Sequence, residues 1–526
     1  MSFVRRTPTP TALAWFAAFA GLLSIVSAMT PELVGRSDAV KAVLPPVLPD
    51  LARTSALALG LGLVWLARGL AQRKQRAWTL AVIVVAASAL AHLVKGLDVE
   101  EASVHLVLLV ALWRARRAFV APGDPTTVRP LVQVCLVGSA LVGVLALHMN
   151  DGDVYSGRVE NAFAILLGVL GVRALLLWFR PARAAAACDT DRARAAELVQ
   201  EHGSDSLAYF ALRRDKTYFF SPSGRSFLAY RVVGSTALVG GDPIGDASER
   251  GELIAEFRRV AHLKGWRVAI AGASVDALPD YAQLGFRSIY LGDEAIISPE
   301  EFSLEGRAIR KVRQSVNRLE KAGYTVRILS VADADDHLRA ELAKVSQEWR
   351  GSWPERGFTM AMDAVFRYPD TVLAVAVGPD GKAGGFLQLV PSPASDGYSL
   401  ASMRRRRDTP NGLIEFLVVE TAAWARGNAV SELSLNFSVF ADFLRADDGA
   451  PRLSRVFSWA LLKGDRLFQL ERLHSFNRKF FPHWRRRYFC FERWTDLPLA
   501  GLAYLHAESL LTPPGPWVRS EDLAAR

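Results

Sequence analysis

The chain has 526 residues, too many for one hydrophobic core, and carries a formal net charge of +10. Its residues are 51% hydrophobic and 22% charged, with a mean hydropathy of +0.15, which indicates that apolar and charged segments are separated along the chain. Cys135, Cys188 and Cys490 are far apart and lack metal-ligand spacing. This excludes a disulfide framework and a structural zinc site, and it favours a reducing compartment.

The first third of the chain contains six apolar runs, each about long enough to cross ~30 Å of hydrocarbon. They are residues 11–29, 54–70, 78–94, 103–119, 131–149 and 163–178. The fourth run is the weakest, because Arg114, Arg116 and Arg117 interrupt its end. We therefore expect residues 1–181 to form a multi-pass α-helical membrane domain of about six spans.

Positive charge is concentrated at alternate ends of these runs. One set of ends carries Arg5, Arg6, Arg73, Lys74, Arg76, Arg114, Arg116, Arg117, Arg129, Arg180 and Arg183, whereas the other set has few cations among several acids. Because basic residues stay on the cytoplasmic side of a membrane, both termini and everything after Arg180 are expected inside the cell.

After an alanine-rich linker helix at 182–202, the pattern changes to short strands and amphipathic helices. A hairpin is predicted at 227–233 and 236–240, with a turn at GDPIG (241–245). A helix (249–263), a strand (267–272), a short helix (278–284) and paired strands (287–291 and 294–297) follow. The first α/β lobe therefore covers residues 203–323, including a basic connecting helix at 305–322.

A second lobe, residues 324–496, repeats this order of elements. Strands are predicted at 324–329, 372–377, 384–390, 398–403 and 432–437, with helices at 335–350, 412–426 and 457–473. The repeated order indicates a duplicated α/β fold, although no sequence repeat is visible. Residues 497–526 are expected to form a proline-containing tail along the domain or the membrane.

Five strings in this region resemble the synthase domain of the aminoacyl-phosphatidylglycerol synthases, a family that includes the multiple peptide resistance factors and the membrane part of the lysyl-tRNA synthetase fusions. They are DKTYFFSPSGRSFLAYRVVG (215–234), GDPIG (241–245), FSLEGRAIRKVRQSVNRLEKAGY (302–324), MRRRRDTPNGLIEFLV (403–418) and RKFFPHWRRRY (478–488). The resemblance runs in the same order through most of residues 208–491. It implies two tandem GNAT-like lobes joined by the long basic helix, behind a helical membrane region.

The resemblance also implies a function. Such an enzyme transfers an amino acid from aminoacyl-tRNA to the glycerol hydroxyl of phosphatidylglycerol at the cytoplasmic face of a bacterial membrane, altering membrane charge and peptide resistance. Its implied partners are aminoacyl-tRNA, phosphatidylglycerol and anionic membrane lipid, with a homo-oligomer left open. No cofactor is implied beyond aminoacyl-tRNA as the donor substrate.

The chemistry of aminoacyl transfer indicates which types of residue the site needs. An aminoacyl ester is already activated, so its transfer needs positioning, proton removal and oxyanion stabilisation. Both substrates are polyanions, which clustered arginines bind. The candidate catalytic residues are Arg404, Asp408, Glu415 and Asn436. The candidate substrate-binding residues are Lys216, Asp242, Glu294, Arg310, Arg313, Asn317, Arg405, Lys479, Trp484 and Arg487.

Several of these candidates also fit a purely structural explanation. The arginine runs and the cationic face of helix 305–322 are typical of a solvated or lipid-facing surface as well. Asp408, in the turn before a helix, is typical of a cap. Trp484 suits either a membrane interface or core packing. For Asn436, which ends an otherwise apolar strand, we expect a carbonyl or hydroxyl partner in a cleft.

The chain also departs from the family. Where the family commonly has an aspartate in a DLMR-like string, this chain reads YSLASMRR, with Ala401 at the acidic position. The membrane part is short, so lipid flipping is not expected, and nothing resembling a lysyl-tRNA synthetase follows. Two alternatives stay open: a GNAT-like transferase with a different lipid or cell-wall acceptor, and a non-catalytic membrane-anchored module that binds lipid or RNA.

Overall fold

A computed structural model of the chain describes residues 10–29, 47–71, 73–96, 98–121, 128–149, 156–178, 184–355, 357–439 and 473–511. The chain divides into two units. One contains residues 1–183 with 259–266, and the other contains residues 184–258 and 267–526.

The described part of the first unit contains six long helices, and each overlaps one of the six predicted spans. They are α1 (Pro10–Met29), α2 (Val47–Ala71), α3 (Gln75–Gly96), α4 (Val99–Arg114), α5 (Val128–Met149) and α6 (Ser156–Trp178). Among the described helices, two segments are long and apolar enough to cross a membrane, Pro10–Met29 and Gln75–Leu93. Helix α4 ends at Arg114, five residues before the predicted end of the fourth span, where the arginines begin.

Helices α1 and α2 pack closely because two glycines face each other. A Cβ atom on Gly21 would lie 2.6 Å from the carbonyl oxygen of Gly60, and one on Gly60 would lie 2.8 Å from that of Gly21. Small residues allow helix backbones to approach in this way in membrane proteins. Leu13, Ala17 and Leu63 are buried in the apolar cluster nearby.

A polar chain is buried among the helices of this unit. The Ser24 hydroxyl lies 3.0 Å from Nε2 of both His92 and His105, and Nδ1 of His105 lies 2.8 Å from the Glu101 carbonyl oxygen. A carbonyl oxygen only accepts, so Nδ1 of a neutral His105 carries the hydrogen and its Nε2 accepts from Ser24. His92 then donates to Ser24, so each group in the series from His92 through Ser24 and His105 to the Glu101 carbonyl oxygen donates to the next.

The described part of the second unit is built on one sheet of twelve strands. They are β1 (Thr217–Phe220), β2 (Ser226–Val233), β3 (Thr236–Gly240), β4 (Ile244–Gly245), β5 (Arg267–Ala273), β6 (Arg287–Ile297), β7 (Thr325–Ser330), β8 (Val372–Val377), β9 (Ala383–Ser392), β10 (Gly397–Arg405), β11 (Glu432–Val439) and β12 (His483–Phe491). The strand order is β1-β2-β3-β5-β12-β6-β11-β10-β9-β8-β7, and β4 pairs with β2.

The two halves of the sheet repeat one topology. In the first half, antiparallel strands β1, β2 and β3 lead to the parallel pair β3 and β5. In the second half, antiparallel strands β7 to β10 lead to the parallel pair β10 and β11. This repeat agrees with the expected α/β fold of two GNAT-like lobes.

The boundary between the two lobes in the sheet does not follow the order of the strands in the chain. Strands β6 and β11 pair antiparallel and join the halves into one sheet. Strand β12, which chain order would assign to the second lobe, lies between β5 and β6 of the first. The two strands predicted at 287–291 and 294–297 form the single strand β6, because Gly292 and Asp293, which were expected to turn the chain, pair with Arg487 and Arg486 of β12.

The described part of this unit also contains seven α-helices of six or more described residues. They are α7 (Asp189–His202), α8 (Arg250–Leu263), α9 (Leu278–Gln283), α10 (Arg310–Lys321), α11 (Asp336–Arg350), α12 (Leu413–Gly427) and α13 (Leu497–Ala507). The last five residues of α8 belong to the first unit. The basic helix α10 begins five residues later than predicted. Its apolar stripe, Val312, Val316 and Leu319, packs in one core cluster with Leu413 and Phe416 of α12.

The last described segment differs from the expected tail. Helix α13 supplies Leu497 and Tyr504 to the core cluster that also holds Phe489 of β12. Apolar residues on every side of a short helix require burial, which explains why this helix packs inside the domain. The helix predicted at 457–473 lies almost entirely outside the described residues.

Candidate active site

The parallel strands β10 and β11 separate after only three paired residues. They pair from Gly397 opposite Glu432 to Ser399 opposite Ser434. Strand β10 then continues along β9, while β11 continues along β6, with Phe437 opposite Glu294. Register shifts on both strands accompany the separation, which leaves a gap in the middle of the sheet.

Asn436 bridges this gap. Its backbone has a φ of 71°, an uncommon conformation that asparagine tolerates better than most residues. Its Nδ2 donates to the carbonyl oxygens of Met360 (2.6 Å) and Leu400 (2.8 Å). The side-chain amide thus replaces the ladder hydrogen bonds that the separating strands cannot make, and it ties the 357–362 loop to β10.

A buried ion pair with a third, partly exposed partner lies close to Asn436. Arg487 of β12 and Glu294 of β6 are both completely buried, with 2.7 Å between the guanidinium and the carboxylate. Arg487 also donates to both carboxylate oxygens of Asp205, at 2.7 and 3.1 Å. The second Glu294 oxygen accepts from the Ser434 hydroxyl at 2.6 Å. One guanidinium therefore holds two carboxylates in the centre of the sheet.

Serine side chains complete the network. Arg487 donates to the Ser206 hydroxyl at 2.7 Å, and Ser399 donates to the Ser206 carbonyl oxygen at 2.7 Å. The Ser434 hydroxyl accepts from the backbone N–H of Asn436 at 3.1 Å. Hydrogen bonds thus connect both separating strands to β6, β12 and the segment after α7. We call this set of residues, Asp205, Ser206, Glu294, Ser399, Ser434, Asn436 and Arg487, the polar centre.

The pKa values of two neighbouring acids, Asp205 in the polar centre and Asp242 at its border, are shifted in opposite directions. Burial raises the pKa of the Asp205 carboxyl, but the adjacent Arg487 outweighs burial and leaves that pKa lowered. Asp242 lies near Asp205 and accepts hydrogen bonds from Ser274 N (3.0 Å) and the Tyr281 hydroxyl (2.9 Å). Its pKa is raised by burial and by the charge of Asp205.

Lys216 and the 357–362 loop adjoin the polar centre. The Lys216 ammonium position is fully buried, 4.4 Å from the centroid of the Phe358 ring. The Glu508 carboxylate, placed by α13, accepts from the backbone N–H groups of Phe358 (2.8 Å) and Thr359 (3.1 Å) and from the Thr359 hydroxyl (2.6 Å). Glu508 and Asn436 thus hold the two sides of the same loop.

Most of the other predicted residues lie along a cationic edge of the second half. Arg404 bonds to Glu355 at 2.8 Å, and Lys479 bonds to Glu415 at 2.7 Å. Asp408 is exposed in the turn between β10 and α12. Arg405, the last residue of β10, stands opposite Gly385 of β9.

Helix α10 borders this edge. Arg318 donates to the carbonyl oxygen of Asn411, in the turn before α12. Arg310 and Asn317 are exposed, whereas Arg313 is half-buried and donates to the carbonyl oxygens of Leu304 and Gly306. We call the surface formed by α10, the 405–411 turn and Lys479 the basic rim.

Trp484 lies apart from both sets of residues. It is 38% exposed, stacks on His474 with ring centroids 4.7 Å apart, and lines a groove with His483 and Arg485. That groove has a volume of about 410 Å³. An exposed, stacked tryptophan beside basic residues remains compatible with the predicted interface role.

Ala401, at the position where the resemblance leads us to expect an acid, is buried. It is 6% exposed and belongs to the same apolar cluster as Phe358, Met362 and Leu207. The wall next to the polar centre is therefore apolar at this point.

The structure brings four of the predicted residues, Asp242, Glu294, Asn436 and Arg487, to the polar centre or its border, and it places Lys216 one loop away. Sequence reasoning missed Asp205, Ser206, Ser399, Ser434 and Glu508. A single charge among the apolar residues that follow Asp496 was the only signal for Glu508, and the serines carried none. The roles assigned to the predicted residues remain predictions.

Comparisons with known proteins bear on this region. A protein-family model described as "Phosphatidylglycerol lysyltransferase, C-terminal" matches residues 196–491. The chain is 32% identical over 555 residues to the lysylphosphatidylglycerol biosynthesis bifunctional protein LysX of Mycobacterium marinum, which covers 96% of this chain and 50% of that protein. It is 34% identical over 512 residues to LysX of Rhodococcus jostii, covering 89% of this chain and 45% of that protein. The chain thus spans about half the length of these relatives.

Two solved structures are similar to a large part of the chain. One is the C-terminal domain of an Agrobacterium fabrum protein named for lysylphosphatidylglycerol synthetase, with 25% identity and a TM-score of 0.54 over 61% of this chain and 97% of that chain. The other is L-PGS from Bacillus licheniformis, with 22% identity and a TM-score of 0.55 over 65% of this chain and 99% of that chain. The second likeness shows the fold alone.

Proposed function

The chain belongs to the phosphatidylglycerol lysyltransferase family of aminoacyl-phosphatidylglycerol synthases, and we propose that it transfers an amino acid from aminoacyl-tRNA to a glycerol hydroxyl of phosphatidylglycerol. One observation carries the proposal: the family match, residues 196–491, ends with strand β12 and contains the separating strands and the whole polar centre. The matched segment is therefore the segment that builds the site.

The geometry suits transfer of an already activated acyl group. Beyond Ser399 and Ser434 the strands β10 and β11 no longer pair, and polar side chains lie where the strands separate. A few polar groups held in fixed positions are typical of a small-substrate site. Asn436 and the buried pair of Glu294 and Arg487 give it a rigid floor, since each of their side chains is held by two or more partners. Such rigidity supports catalysis by positioning and by oriented dipoles.

The basic rim supports a polyanionic donor. Arg310 and Asn317 present exposed side chains on α10, next to the run of arginines at 404–407. Exposed arginines and lysines bind phosphate backbones, and the net charge of +10 agrees with this use. In the proposed reaction, the rim holds the acceptor end of the tRNA while its aminoacyl ester enters the gap.

The helical unit supports a membrane location. We propose that the six helices span the bacterial cell membrane, with both termini and the second unit on the cytoplasmic side, where the positive-inside rule puts the arginine-rich ends. The acceptor lipid then lies next to the enzyme, and aminoacylation reduces the negative charge of the leaflet. Trp484 and its neighbouring basic residues are suited to contact the headgroups.

The amino acid is a separate question, because the relatives are named for lysine. A cationic side chain needs a carboxylate or another polar partner when it is buried. Ala401 and the apolar cluster around it offer none at the position where the family commonly has an acid. This observation favours an uncharged amino acid as the second candidate substrate.

The proposal is tested by mass spectrometry of total lipids from cells with and without the protein. Phosphatidylglycerol shifted by the mass of one amino-acid residue is the expected product, and the shift identifies the amino acid. Supply of each purified aminoacyl-tRNA to the reconstituted protein then identifies the donor. A lipid profile that does not change, together with binding of tRNA or lipid, would instead identify a non-catalytic module or a different acceptor.

A further inference from the structure

Lys216 has an environment that ordinary packing does not explain. Its side chain lies just before β1, is 1% exposed, and reaches Gly240 so closely that a Cβ atom there would be 2.6 Å from Nζ. Within the described part of the chain, Nζ makes no hydrogen bond. Its close neighbour is the face of Phe358, at 4.4 Å. A buried ammonium without a hydrogen-bond partner is strongly unfavourable, and one aromatic face offsets only part of that cost.

The charged groups around Lys216 are engaged elsewhere. Asp215 is held by Arg213 at 2.9 Å and Arg231 at 3.0 Å. Glu508 accepts its three hydrogen bonds from Phe358 and Thr359. Burial, followed by the positive charge of Arg213, lowers the pKa of Lys216 to about 7, against the opposing effects of Asp215 and Glu508. Near neutral pH the amine therefore exists in both protonation states.

The position of Lys216 connects it with both halves of the site. Gly240 ends β3, and Gly241 and Asp242 follow it to the border of the polar centre. On the other side, Phe358 is two residues from Met360, whose carbonyl oxygen accepts from Asn436. The loop that covers the amine is thus the loop that forms one wall of the gap between β10 and β11.

We propose that Lys216 is the proton-transfer group of the acyl transfer, with the 357–362 loop as its cover; this inference rests on the proposed function. Substrate displaces Phe358 from Nζ. The neutral amine takes the proton of the glycerol hydroxyl as that oxygen forms a bond to the aminoacyl carbonyl carbon. The resulting ammonium returns the proton to the ribose oxygen as the bond from the acyl carbon to that oxygen breaks. The proton count balances, and no further reactant is needed.

The test uses the full-length protein in phosphatidylglycerol vesicles, with the aminoacyl-tRNA that lipid mass spectrometry identifies. Rates of lipid aminoacylation are measured between pH 5.5 and 9 for the wild type and for Lys216→Met and Lys216→Gln. The matched control is Lys382→Gln, since Lys382 is exposed and pairs with Asp380 at the surface. Hydrogen exchange of β3 and β5 monitors folding of each variant.

The wild-type rate is expected to rise with pH, to reach half its maximum near pH 7 and to level off about one pH unit higher. Both Lys216 variants are expected to lose about 100-fold or more in rate and to lose this ionisation, while their affinity for tRNA is unchanged. A folded variant that keeps most of its rate and the wild-type profile overturns the inference. If both variants misfold, a wild-type profile without an ionisation between pH 6 and 8 overturns it equally. A wild type that makes no aminoacyl lipid from any aminoacyl-tRNA overturns the proposed function itself, and the inference with it.

Discussion

Replacing Arg487 with methionine isolates the energetic role of the polar centre. The guanidinium is completely buried and bonds to Glu294, Asp205 and the Ser206 hydroxyl. Methionine fills a similar volume but cannot donate a hydrogen bond to Glu294. Of the two side chains described above as donors to the completely buried Glu294 carboxylate, only Ser434 then remains. Removing one partner of a buried ion pair costs about 3–5 kcal/mol, because the remaining charge is neither solvated nor paired.

Hydrogen exchange is the suitable assay, because the chain has two units and its unfolding need not be two-state. In the intact protein in detergent, amides of β6 and β12 should exchange roughly two to four orders of magnitude faster in the variant, since every 1.4 kcal/mol is tenfold. Arg485→Met is the matched control: Arg485 pairs with Glu432 at 2.7 Å but is 39% exposed. An exposed pair contributes about 1 kcal/mol or less.

A second substitution tests the same explanation. Adding Glu294→Leu to the Arg487 variant removes the buried carboxylate that has lost its guanidinium partner, so part of the protection should return. Equal losses in the Arg487 and Arg485 variants, or no recovery on adding Glu294→Leu, would refute this account of the polar centre.

Three further predictions follow from single positions. The pKa of Lys216 is about 7 in the fold and ordinarily 10.5. Burial of the protonated amine therefore lowers the free energy of unfolding by about 5 kcal/mol at pH 7 and below. Between these two pH values the unfolded chain binds more protons than the folded protein, so wild-type stability should rise as the pH increases from 7 to 10.5. Hydrogen exchange at β1 and β3 measures this rise, and Lys216→Met should flatten it. Gly60→Val should lower the stability of the detergent-solubilised protein by about 1–3 kcal/mol in thermal unfolding, because the new Cβ atom would contact the Gly21 carbonyl oxygen. The control Gly62→Val has open space around it and should not lower the stability. Ala401→Asp should shift the lipid product towards a cationic amino acid, measured by competition between lysyl-tRNA and alanyl-tRNA; an unchanged preference would show that this wall does not contact the amino acid.

The helical unit shows what hydropathy alone can predict. All six spans overlap described helices, because the length of an apolar run is a local property. The end of α4 differed by five residues, since three arginines stop an apolar helix earlier than a hydropathy window suggests. Whether these helices cross a membrane remains a proposal, as only two described segments have both the length and the composition to do so.

The α/β unit shows where local reasoning stops. The hairpin of β2 and β3 and the helix α11 were predicted within a residue, because their periodicity and turns are contained in short windows. The position of β12 between β5 and β6 could not be predicted, since a strand of period two carries no information about its neighbours. The merged strand β6 was missed for a related reason: its partners come from distant parts of the chain.

The amino-acid sequence by itself determined the separation into a helical unit and an α/β unit, the order of most strands and helices other than β1, β12 and α13, and the five strings that resemble the family. Only the tertiary structure decided that Arg487 meets Asp205, 282 positions away, and that Glu508 meets Phe358, 150 positions away. The physical reason is that periodicity and turn chemistry act within a few residues, whereas a buried charge is compensated by whichever groups the folded sheet places beside it.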